Sequence, residues 1–527
     1  MTSNLRDALL ASLASLPGTR EFHLHVLISS PRKHLALFPF AQPRPRTYLQ
    51  DILILLSEQA TPDSPRIFAV AIEACVYNVP STSCAVLYVS KVDSTGQSLS
   101  PSPTAALVRS LLVFYVDPAT RPLAADHFWI QLFARAQGQY LFPNSSEYSG
   151  KHPLTDVKLC SWWKRVLSDV AGELDVRTKS KARIKLYYVL PGYSELDAVQ
   201  SLKFTSPSAP SASATYSWTY GHPYSQTEIS LPCPSEDTTE GPKNLGHFIP
   251  SFDDDPKSRF MDEIAYTTDA EGIKSPVRKR LRTTPHEGSE PKRSEATDAK
   301  DGTNDRRLGE LDRVSPDEFW ERMSFRQECV AGAVTGFFAL GMSYPTPSDG
   351  GSRSAISPLA PQPGQVSSQM NKRIMTSLLT GVEFSTIERS VRATETLESA
   401  IKGLCEGLSP IPAPVLHAPR AFPLSSESGR RTPEPQSTLL APPRTPSPRL
   451  VNGKHTIPEV SPNPFPEPVT SLETYHSHIY GSVCVSNPVP PSKMGSDNNP
   501  AQHDGDKAES TPHVTMLAVR KKKKRIE

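Results

Sequence analysis

The sequence has few cysteines and no long apolar run, and both shortages limit the classes of protein it can belong to. Its seven cysteines are scattered through 527 residues without a Cys-x-x-Cys pair, which argues against a disulfide-stabilised secreted domain and against a zinc site. The longest apolar run, residues 330–342, is well short of the roughly 20 residues that a membrane-spanning helix needs. Arg6 and Asp7 interrupt the apolar N-terminal segment, which favours an amphipathic helix over a signal peptide. We therefore expect a soluble intracellular protein with no membrane partner and no metal.

Hydrophobic residues are also scarce, at 37%, whereas the 53 prolines are about twice the usual share. The apolar residues concentrate before about residue 265 and in two later stretches, and segments rich in Pro, Ser and Thr or in charge cannot bury enough surface to fold. We expect one domain over 1–408, interrupted by disordered segments at 266–312 and 345–366. A disordered Pro/Ser-rich tail with a basic end follows at 409–527.

The first 200 residues mix strand and helix patterns. Alternating β-branched and aromatic residues predict strands within 22–40, 67–92, 129–136 and 182–193. Helical spacing predicts helices over 104–116 and from Thr155 to about residue 170. The order is not a regular strand–helix alternation, so the fold class is α+β or α/β with a sheet.

Two further ordered pieces follow the charged segment. Ser315-Pro316-Asp317-Glu318 combines an N-cap serine, a proline at the first helical position and a glutamate three residues after the cap. We expect a helix over 319–341, deeply buried because its second half is apolar nearly all round. A second ordered piece spans roughly 367–408.

Four segments occur together in a characteristic order. They are YVSKVDSTG (88–96), LFARAQGQYLFPNSSEYSGKHPLTDVKLCSWWKRVL (132–167), FDDDPKSRF (252–260) and the later pair FWERMSFRQE and LLTGVEFSTIERS. Together they resemble the fungal histone acetyltransferase family called regulator of Ty transposition. The resemblance implies an α+β fold with a central, mixed seven-stranded sheet wrapped by helices, similar to the CREB-binding-protein acetyltransferases.

The resemblance also implies a function and partners. The co-substrate would be acetyl-CoA, and the acceptors would be core-domain and tail lysines of newly made histone H3, in support of chromatin assembly and genome stability. Histone chaperones of the NAP-family and anti-silencing-function types would present H3 together with H4.

The charged cluster at 254–259 has two interpretations. By itself, Asp-Asp-Pro-Lys is typical of a solvated turn. The resemblance instead places Asp254 and Asp255 in the active site and makes Lys257 a lysine that the enzyme acetylates on itself. A lysine with a pKa near 10.4 must lose a proton before it attacks a thioester, which costs roughly 4–5 kcal/mol at pH 7. A neighbouring carboxylate can hold the ammonium and accept that proton.

Trp162 and Trp163 are adjacent on the helix that follows Thr155. Adjacent helical residues lie about 100° apart, so one ring is expected in the core and the other is free to line a pocket. The resemblance places both at the acetyl-CoA and lysine channel, with Trp163 among the catalytic residues.

The remaining candidates would bind the cofactor. The turn 99–103 precedes a helix whose first N–H groups suit a pyrophosphate, although many such helix starts bind nothing. His152 taken alone is more typical of a structural residue, and Arg135 could reach a phosphate. The resemblance implies cofactor contacts at Val92, Asp93, Ser94, Leu99, Ser100, Pro101, Ser102, Pro103, Phe133, Arg135, Gln137, Tyr140, His152, Pro153, Leu154 and Trp162.

Two basic runs, at 274–282 and 520–525, suit nuclear import or acidic partners, although solvated charge is the plainer interpretation. The resemblance suggests that the C-terminal run engages a chaperone through Val514, Met516, Leu517 and Val519. Sequence-specific DNA binding is not expected, because no recognition helix accompanies these charges. A catalytically inactive nuclear adaptor for histone chaperones, or an acyl-CoA transferase acting on another protein, remains open.

Overall fold

The computed structural model describes most of the first 406 residues and a short C-terminal piece. The described residues are 4–41, 43–202, 217–233, 248–266, 311, 314–326, 333–344, 357–406, 450–451, 454–455, 465–466, 468 and 470–488. Most of the predicted disordered segments, both basic runs and the hydrophobic anchors at 514–519 lie outside these residues. Among the described helices, none combines the length and hydropathy needed to cross a bilayer.

Nine α-helices lie in the described part of the chain. They are α1 Leu5–Ala14, α2 Thr104–Val116, α3 Asp156–Arg177, α4 Glu195–Ser201, α5 Pro256–Tyr266, α6 Pro316–Met323, α7 Ser368–Thr380, α8 Ile387–Cys405 and α9 Leu472–Thr474. Helix α2 has the predicted bounds, whereas α3 is longer than predicted. At α6, the hydroxyl of Ser315 accepts the Glu318 N–H at 3.2 Å, as the capping pattern predicts.

The described strands form a mixed sheet of eleven strands and a separate two-stranded pair. The bounds are β1 Gly18–Ser29, β2 Arg32–His34, β3 Thr47–Gln59, β4 Ile67–Val79, β5 Cys84–Ser94, β6 His127–Ala134, β7 Arg183–Val189, β8 Trp218–Tyr220, β9 Gly336–Ser343, β10 Gln365–Val366, β11 Leu450–Val451, β12 Lys454–His455 and β13 Tyr480–Asn487. The order in the large sheet is β10-β1-β3-β4-β5-β6-β9-β7-β8, with β2 on β3 and β13 on β1. Pairs β5–β6, β7–β8 and β1–β10 are parallel, and the others are antiparallel.

Helices cover both faces of this sheet. Successive residues of a strand point to opposite faces, and in the central strands both sets are apolar and need to be buried. In β3, Ile52, Ile54 and Leu56 join the core that α1, α2 and α3 complete. Leu53 and Leu55 point the other way, into a core shared with α7 and α8. Helices α5 and α6 form a further apolar cluster that includes residues of β7 and β9. The α+β architecture is therefore the predicted one.

The second half of the predicted helix at 319–341 is instead a strand. Helix α6 ends at Met323, and β9 lies antiparallel between β6 and β7. A central strand covered on both faces needs apolar residues at every position, as a buried helix does, so hydropathy could not separate the two. Gly341 in this strand leaves room for a neighbouring side chain, since a Cβ there would lie 2.7 Å from the Trp129 ring.

Two long strands, β3 and β13, occur where no strand or helix was predicted from the sequence. Strand β3 is apolar at every central position and so lacks the alternating pattern. Strand β13 lies beyond residue 408, in the predicted disordered tail, and pairs antiparallel with β1 from Gly18↔Asn487 to His25↔Tyr480. The expectation of a structureless tail is wrong for this strand and the helical turns before it, because the free edge of β1 supplies hydrogen bonds that no local pattern reveals. Among the described residues before 408, seven strands have seven or more residues, and β13 is the eighth strand of that length in the described part of the chain.

Candidate active site

A large cavity opens where the parallel strands β5 and β6 end. Helix α2 connects these strands, and the crevice beyond the carboxyl ends of parallel strands is a common ligand site. The cavity has a volume of about 420 Å³, within the range of small-molecule sites. Its walls come from the ends of β5 and β6, the start of α2, the turn at 151–154 and the first turns of α3.

Most of the predicted cofactor residues meet at this cavity. Those lining it are Val92, Asp93, Ser94, Ser102, Phe133, Arg135, Gln137, Tyr140, His152, Pro153, Leu154 and Trp162, and Trp163, predicted as a catalytic residue, lines it too. Leu99, Ser100, Pro101 and Pro103 are not among its lining residues. The lining residues that the sequence did not single out are Val89, Ser90, Lys91, Thr104, Ala134, Ala136, Lys151 and Leu159.

The Asp93 carboxylate accepts hydrogen bonds from other residues of the protein. Its Oδ2 accepts the backbone N–H groups of Tyr140 and Leu141, each at 2.8 Å, and that of Phe142 at 3.1 Å. Its Oδ1 accepts the Lys151 ammonium at 2.9 Å, and both side chains are buried. Asp93 therefore joins the QYLFP turn and the 151–154 turn to the end of β5, and so shapes the cavity wall.

Gly96, at the end of the first motif, has a steric role in the same region. It adopts a φ of +78°, and a Cβ there would lie 2.6 Å from the Cα of Lys151. Only glycine has easy access to this conformation and leaves room for the neighbouring chain. Gly96 thus allows the 151–154 turn to approach β5.

The paired tryptophans both line the cavity. Their ring centroids are 4.8 Å apart and the planes meet at 78°. Trp163 is only 5% exposed and belongs to the core between α3 and the sheet, whereas Trp162 is half-buried. One ring is therefore anchored and its neighbour is more open to the cavity, as the 100° separation predicts.

Tyr140 and Arg135 form a polar part of the wall. The Tyr140 hydroxyl donates to the backbone carbonyl of Arg135. Burial, and then the charge of Asp93, raise the pKa of Tyr140 to about 12, so the phenol stays neutral near pH 7. The half-buried Arg135 guanidinium lines the cavity, and no hydrogen bond joins it to another described residue.

The turn at 99–103 is fixed by hydrogen bonds from Arg20 of β1. The Arg20 guanidinium donates to the carbonyls of Leu99 and Pro101, each at 2.8 Å, and pairs with buried Glu58 at 3.2 Å. Helix α2 then begins with no side-chain cap, and Thr104 lines the cavity. The Thr104 N–H, the first of the helix, reaches the Ser102 hydroxyl at 3.4 Å, so the start of α2 and the Ser102 side chain lie together at the cavity.

The acidic segment at 253–257 lies at the start of α5. Asp255 caps this helix: its Oδ1 accepts the Lys257 backbone N–H at 2.9 Å. Its Oδ2 accepts the Lys257 ammonium, and both side chains are buried. The ammonium also lies 4.6 Å from the centroid of the Phe252 ring. Burial lowers the pKa of Lys257, although Asp255 opposes the shift.

Two contacts connect this acidic segment to the large cavity. Lys91, in the cavity wall, donates to Asp254 at 2.7 Å. Phe133, also in the wall, has its ring centroid 6.3 Å from that of Phe337, which lines a smaller cavity of about 30 Å³ together with Asp255 and Lys257. The acidic motif, 90 residues after the tryptophan pair in the chain, therefore contacts the wall of the cavity that the tryptophans line.

Lys91 was not among the site residues predicted from the sequence, although it lies in the first motif. It lies two residues before Asp93 within the quoted motif, so both side chains lie on one face of β5. Among the described residues, no cluster of three or more His, Cys, Asp or Glu side chains could hold a metal ion.

Comparison with known proteins gives a consistent result. The model of the histone acetyltransferase KAT11-type domain matches residues 121–400, more than half of the chain. Histone acetyltransferase rtt109 of Aspergillus flavus is 30% identical over 352 residues, which is 63% of this chain and 55% of that relative. Histone acetyltransferase rtt109 of Schizosaccharomyces pombe is 25% identical over 301 residues, or 55% of this chain and 60% of the relative.

The crystal structure of Rtt109 from Aspergillus fumigatus shares the fold, with a TM-score of 0.53 and 23% identity, over 75% of this chain and 95% of that one. The structural likeness shows a shared fold, and the family model gives the class as a histone acetyltransferase KAT11-type domain. The chain belongs to the KAT11-type family, which confirms the membership predicted from the four motifs. The matched segments span little more than half the length of the two fungal relatives.

Proposed function

We propose that this protein transfers the acetyl group of acetyl-CoA to lysine side chains of histone H3. The observation that carries the proposal is the hydrogen bond from Lys91 to Asp254 at 2.7 Å. It joins the wall of the 420 Å³ cavity to the acidic segment. A pocket for a thioester and carboxylates for an amine are therefore neighbours.

The cavity fits coenzyme A chemically. The N–H groups in the first turn of α2 and the Arg135 guanidinium are donors suited to phosphates. The hydroxyls of Ser102 and Thr104 lie beside them, and the Trp162 and Tyr140 rings offer apolar surface for a pantetheine arm. When bound, acetyl-CoA supplies an acyl carbon that an amine can attack.

The acceptor reaction needs a neutral amine. The lysine nitrogen attacks the thioester carbonyl, the N–C bond forms as the C–S bond breaks, and the thiol leaves with the proton that the amine releases. Asp254 is more than half exposed, so its carboxylate is accessible to hold the ammonium and accept a proton. Asp255 is buried and engaged with Lys257, and Trp163 forms the apolar wall.

Acetylation of Lys257 would change this arrangement. An acetylated nitrogen is uncharged, so the ion pair with Asp255 would end and the carboxylate would become available to the site. Burial already disfavours the charged amine. The 30 Å³ cavity beside Lys257 is also lined by Trp320, whose buried indole N–H has no hydrogen-bond partner among the described residues and could donate to an acetyl oxygen.

The proposed setting is the nucleus, where H3 would be presented with H4 by histone chaperones. The similarity to two fungal proteins, both histone acetyltransferases, supports histone substrates. Newly made H3 as the substrate, with a role in chromatin assembly and genome stability, follows from the resemblance.

The deciding experiment uses purified chain, labelled acetyl-CoA and an H3–H4 complex, with and without a histone chaperone. We expect label on H3 that Asp255→Asn removes. Asparagine also caps helices, so the start of α5 should remain, but the buried Lys257 ammonium loses its carboxylate partner. The melting temperature is therefore measured with the activity, and the loss of label is assessed at a temperature where the variant is folded.

Chaperone binding by a folded chain that transfers no label would contradict the proposal and favour the inactive adaptor. Label on a different protein but not on H3 would favour an acyltransferase with another substrate.

A further inference from the structure

A second cavity, which we call the acidic cavity, adjoins the large one. It has a volume of about 270 Å³ and four carboxylates in its wall: Asp51, Glu73, Asp253 and Asp254. Its cationic side chains are Arg32 and Lys372, and Arg32 is paired with Asp51 at 2.5 Å. Ser90 lines both cavities, so they meet at this point of β5.

Lys91 lies at the boundary. Its ammonium donates to Glu73 Oε2 at 2.7 Å and to Asp254 Oδ2 at 2.7 Å. Glu73 stands opposite Lys91 on the neighbouring antiparallel strand β4. The amine belongs to the wall of the large cavity, and its two acceptors belong to the wall of the acidic cavity.

This arrangement is a preformed binding site for a primary amine. Two carboxylates converge on one ammonium next to a cavity suited to an acyl donor. An incoming substrate lysine has the same functional group and would make the same two hydrogen bonds.

We propose that Lys91 holds the place of the substrate amine in the free enzyme, and that an incoming lysine displaces it from Glu73 and Asp254. The proposal rests on the proposed transfer to lysine.

The exchange is physically easy. The Lys91 side chain is 24% exposed and those of Glu73 and Asp254 are 27% and 56% exposed, so water reaches both ion pairs and screens the one with Asp254 more strongly. The displaced ammonium can turn to solvent, and the substrate ammonium restores both bonds. Lys91 thus neutralises the carboxylates until a substrate arrives, and it competes with that substrate.

Replacing Lys91 tests whether this side chain competes with the substrate amine or stabilises the site as a structural brace. Methionine has a similar length and no charge, so Lys91→Met should open the amine site while it retains the apolar contacts of the stem. Arginine keeps a cation that can bond both carboxylates, so Lys91→Arg is the matched control.

The probe is n-butylammonium, which reproduces the end of a lysine side chain. Its binding to the full chain is measured by calorimetry, and the KM for the H3–H4 acceptor is measured at saturating acetyl-CoA. Lys91→Met should bind the probe about five-fold or more tightly and show a lower KM, whereas Lys91→Arg, whose cation still occupies the two carboxylates, should show neither gain. Adding Glu73→Gln to Lys91→Met should remove the gain.

Weaker or unchanged probe binding by a folded Lys91→Met chain, or a raised KM, would overturn the inference and make Lys91 a structural brace. Stoichiometric acetylation of Lys91 during turnover, detected by peptide mass spectrometry, would also overturn it. Probe binding does not depend on acetyl transfer, so the two proposals can fail separately. If the unmodified chain transfers no acetyl group but Lys91→Met still binds the probe more tightly, the proposed function is disproved and the amine site is retained.

Discussion

At the scale of single residues, the acidic side chains of the site divide by what they bind. The Asp93 carboxylate is saturated by backbone N–H groups and Lys151. Asp255 is engaged by Lys257, and Asp254 is more than half exposed. The sequence identified all three aspartates but could not assign these different environments, because each depends on a partner from another element or on burial.

The Lys257 switch is testable at this scale. Lys257→Arg keeps a cation that can bond Asp255 but cannot form an acetyl-lysine, so Asp255 would stay engaged. We expect turnover on H3–H4 to fall roughly ten-fold or more, with an unchanged melting temperature.

The matched variant is Lys257→Gln, which resembles the neutral acetylated side chain and should retain more activity than Lys257→Arg. Equal turnover in Lys257→Arg and the unmodified chain would rule out the switch.

At the scale of elements, the β5–α2–β6 unit positions the site. It follows from local signals: two predicted strands, a helix with correct bounds, and motif residues at the strand ends. Strand β9 shows the limit of such signals, because an apolar segment buried on both faces has no period that separates strand from helix. Its identity was decided by β6 and β7, which supply its hydrogen bonds.

The pairing of β1 with β13 contains a buried histidine. His25 is fully buried, and its Nε2 is 3.1 Å from the Tyr475 hydroxyl. Burial, and then the nearby charges of His23 and Arg66, lower its pKa to about 3. A histidine in the unfolded chain titrates near 6.5.

This difference predicts acid sensitivity. Between about pH 6.5 and pH 3 the unfolded state binds the proton and the folded state does not, so the stabilisation present above pH 6.5 is lost as the pH falls. From pH 7.5 to pH 5.5, His25 should lower the free energy of unfolding by roughly 1.4 kcal/mol.

The measurement is urea denaturation at both pH values for the unmodified chain and for His25→Gln, whose amide can still bond Tyr475 but does not titrate in this range. The variant should lose correspondingly less stability. The same pH dependence in both chains would contradict the assignment.

At the scale of the whole molecule, the ordered core extends past the matched family segment. The segment 470–488 returns to the sheet more than 60 residues after α8 ends. Arg6 of α1 donates to the carbonyls of His476 and Tyr480 at 2.6 Å and 2.9 Å. The first and last described elements are therefore held together.

Truncation tests this contribution. A chain ending at residue 408 lacks the buried Tyr475 and Ile479 and exposes the edge of β1. We expect calorimetry to show a melting temperature lower by about 5–10 °C, and light scattering to show more aggregation.

A chain ending at residue 490 retains β13 and should melt like the full chain. If both truncated chains melt alike, β13 does not stabilise the core.

The sequence by itself determined the family, the start of α6, the bounds of α2 and most of the cavity's lining, because these depend on local spacing and on motifs of adjacent residues. The tertiary structure decided the place of β9, the addition of β13 and the pairing of Lys91 with Glu73 and Asp254. These features join residues far apart in the chain. Their energies come from hydrogen bonds, burial and charge pairing that arise only when the sheet is assembled, and local periodicity carries no record of them.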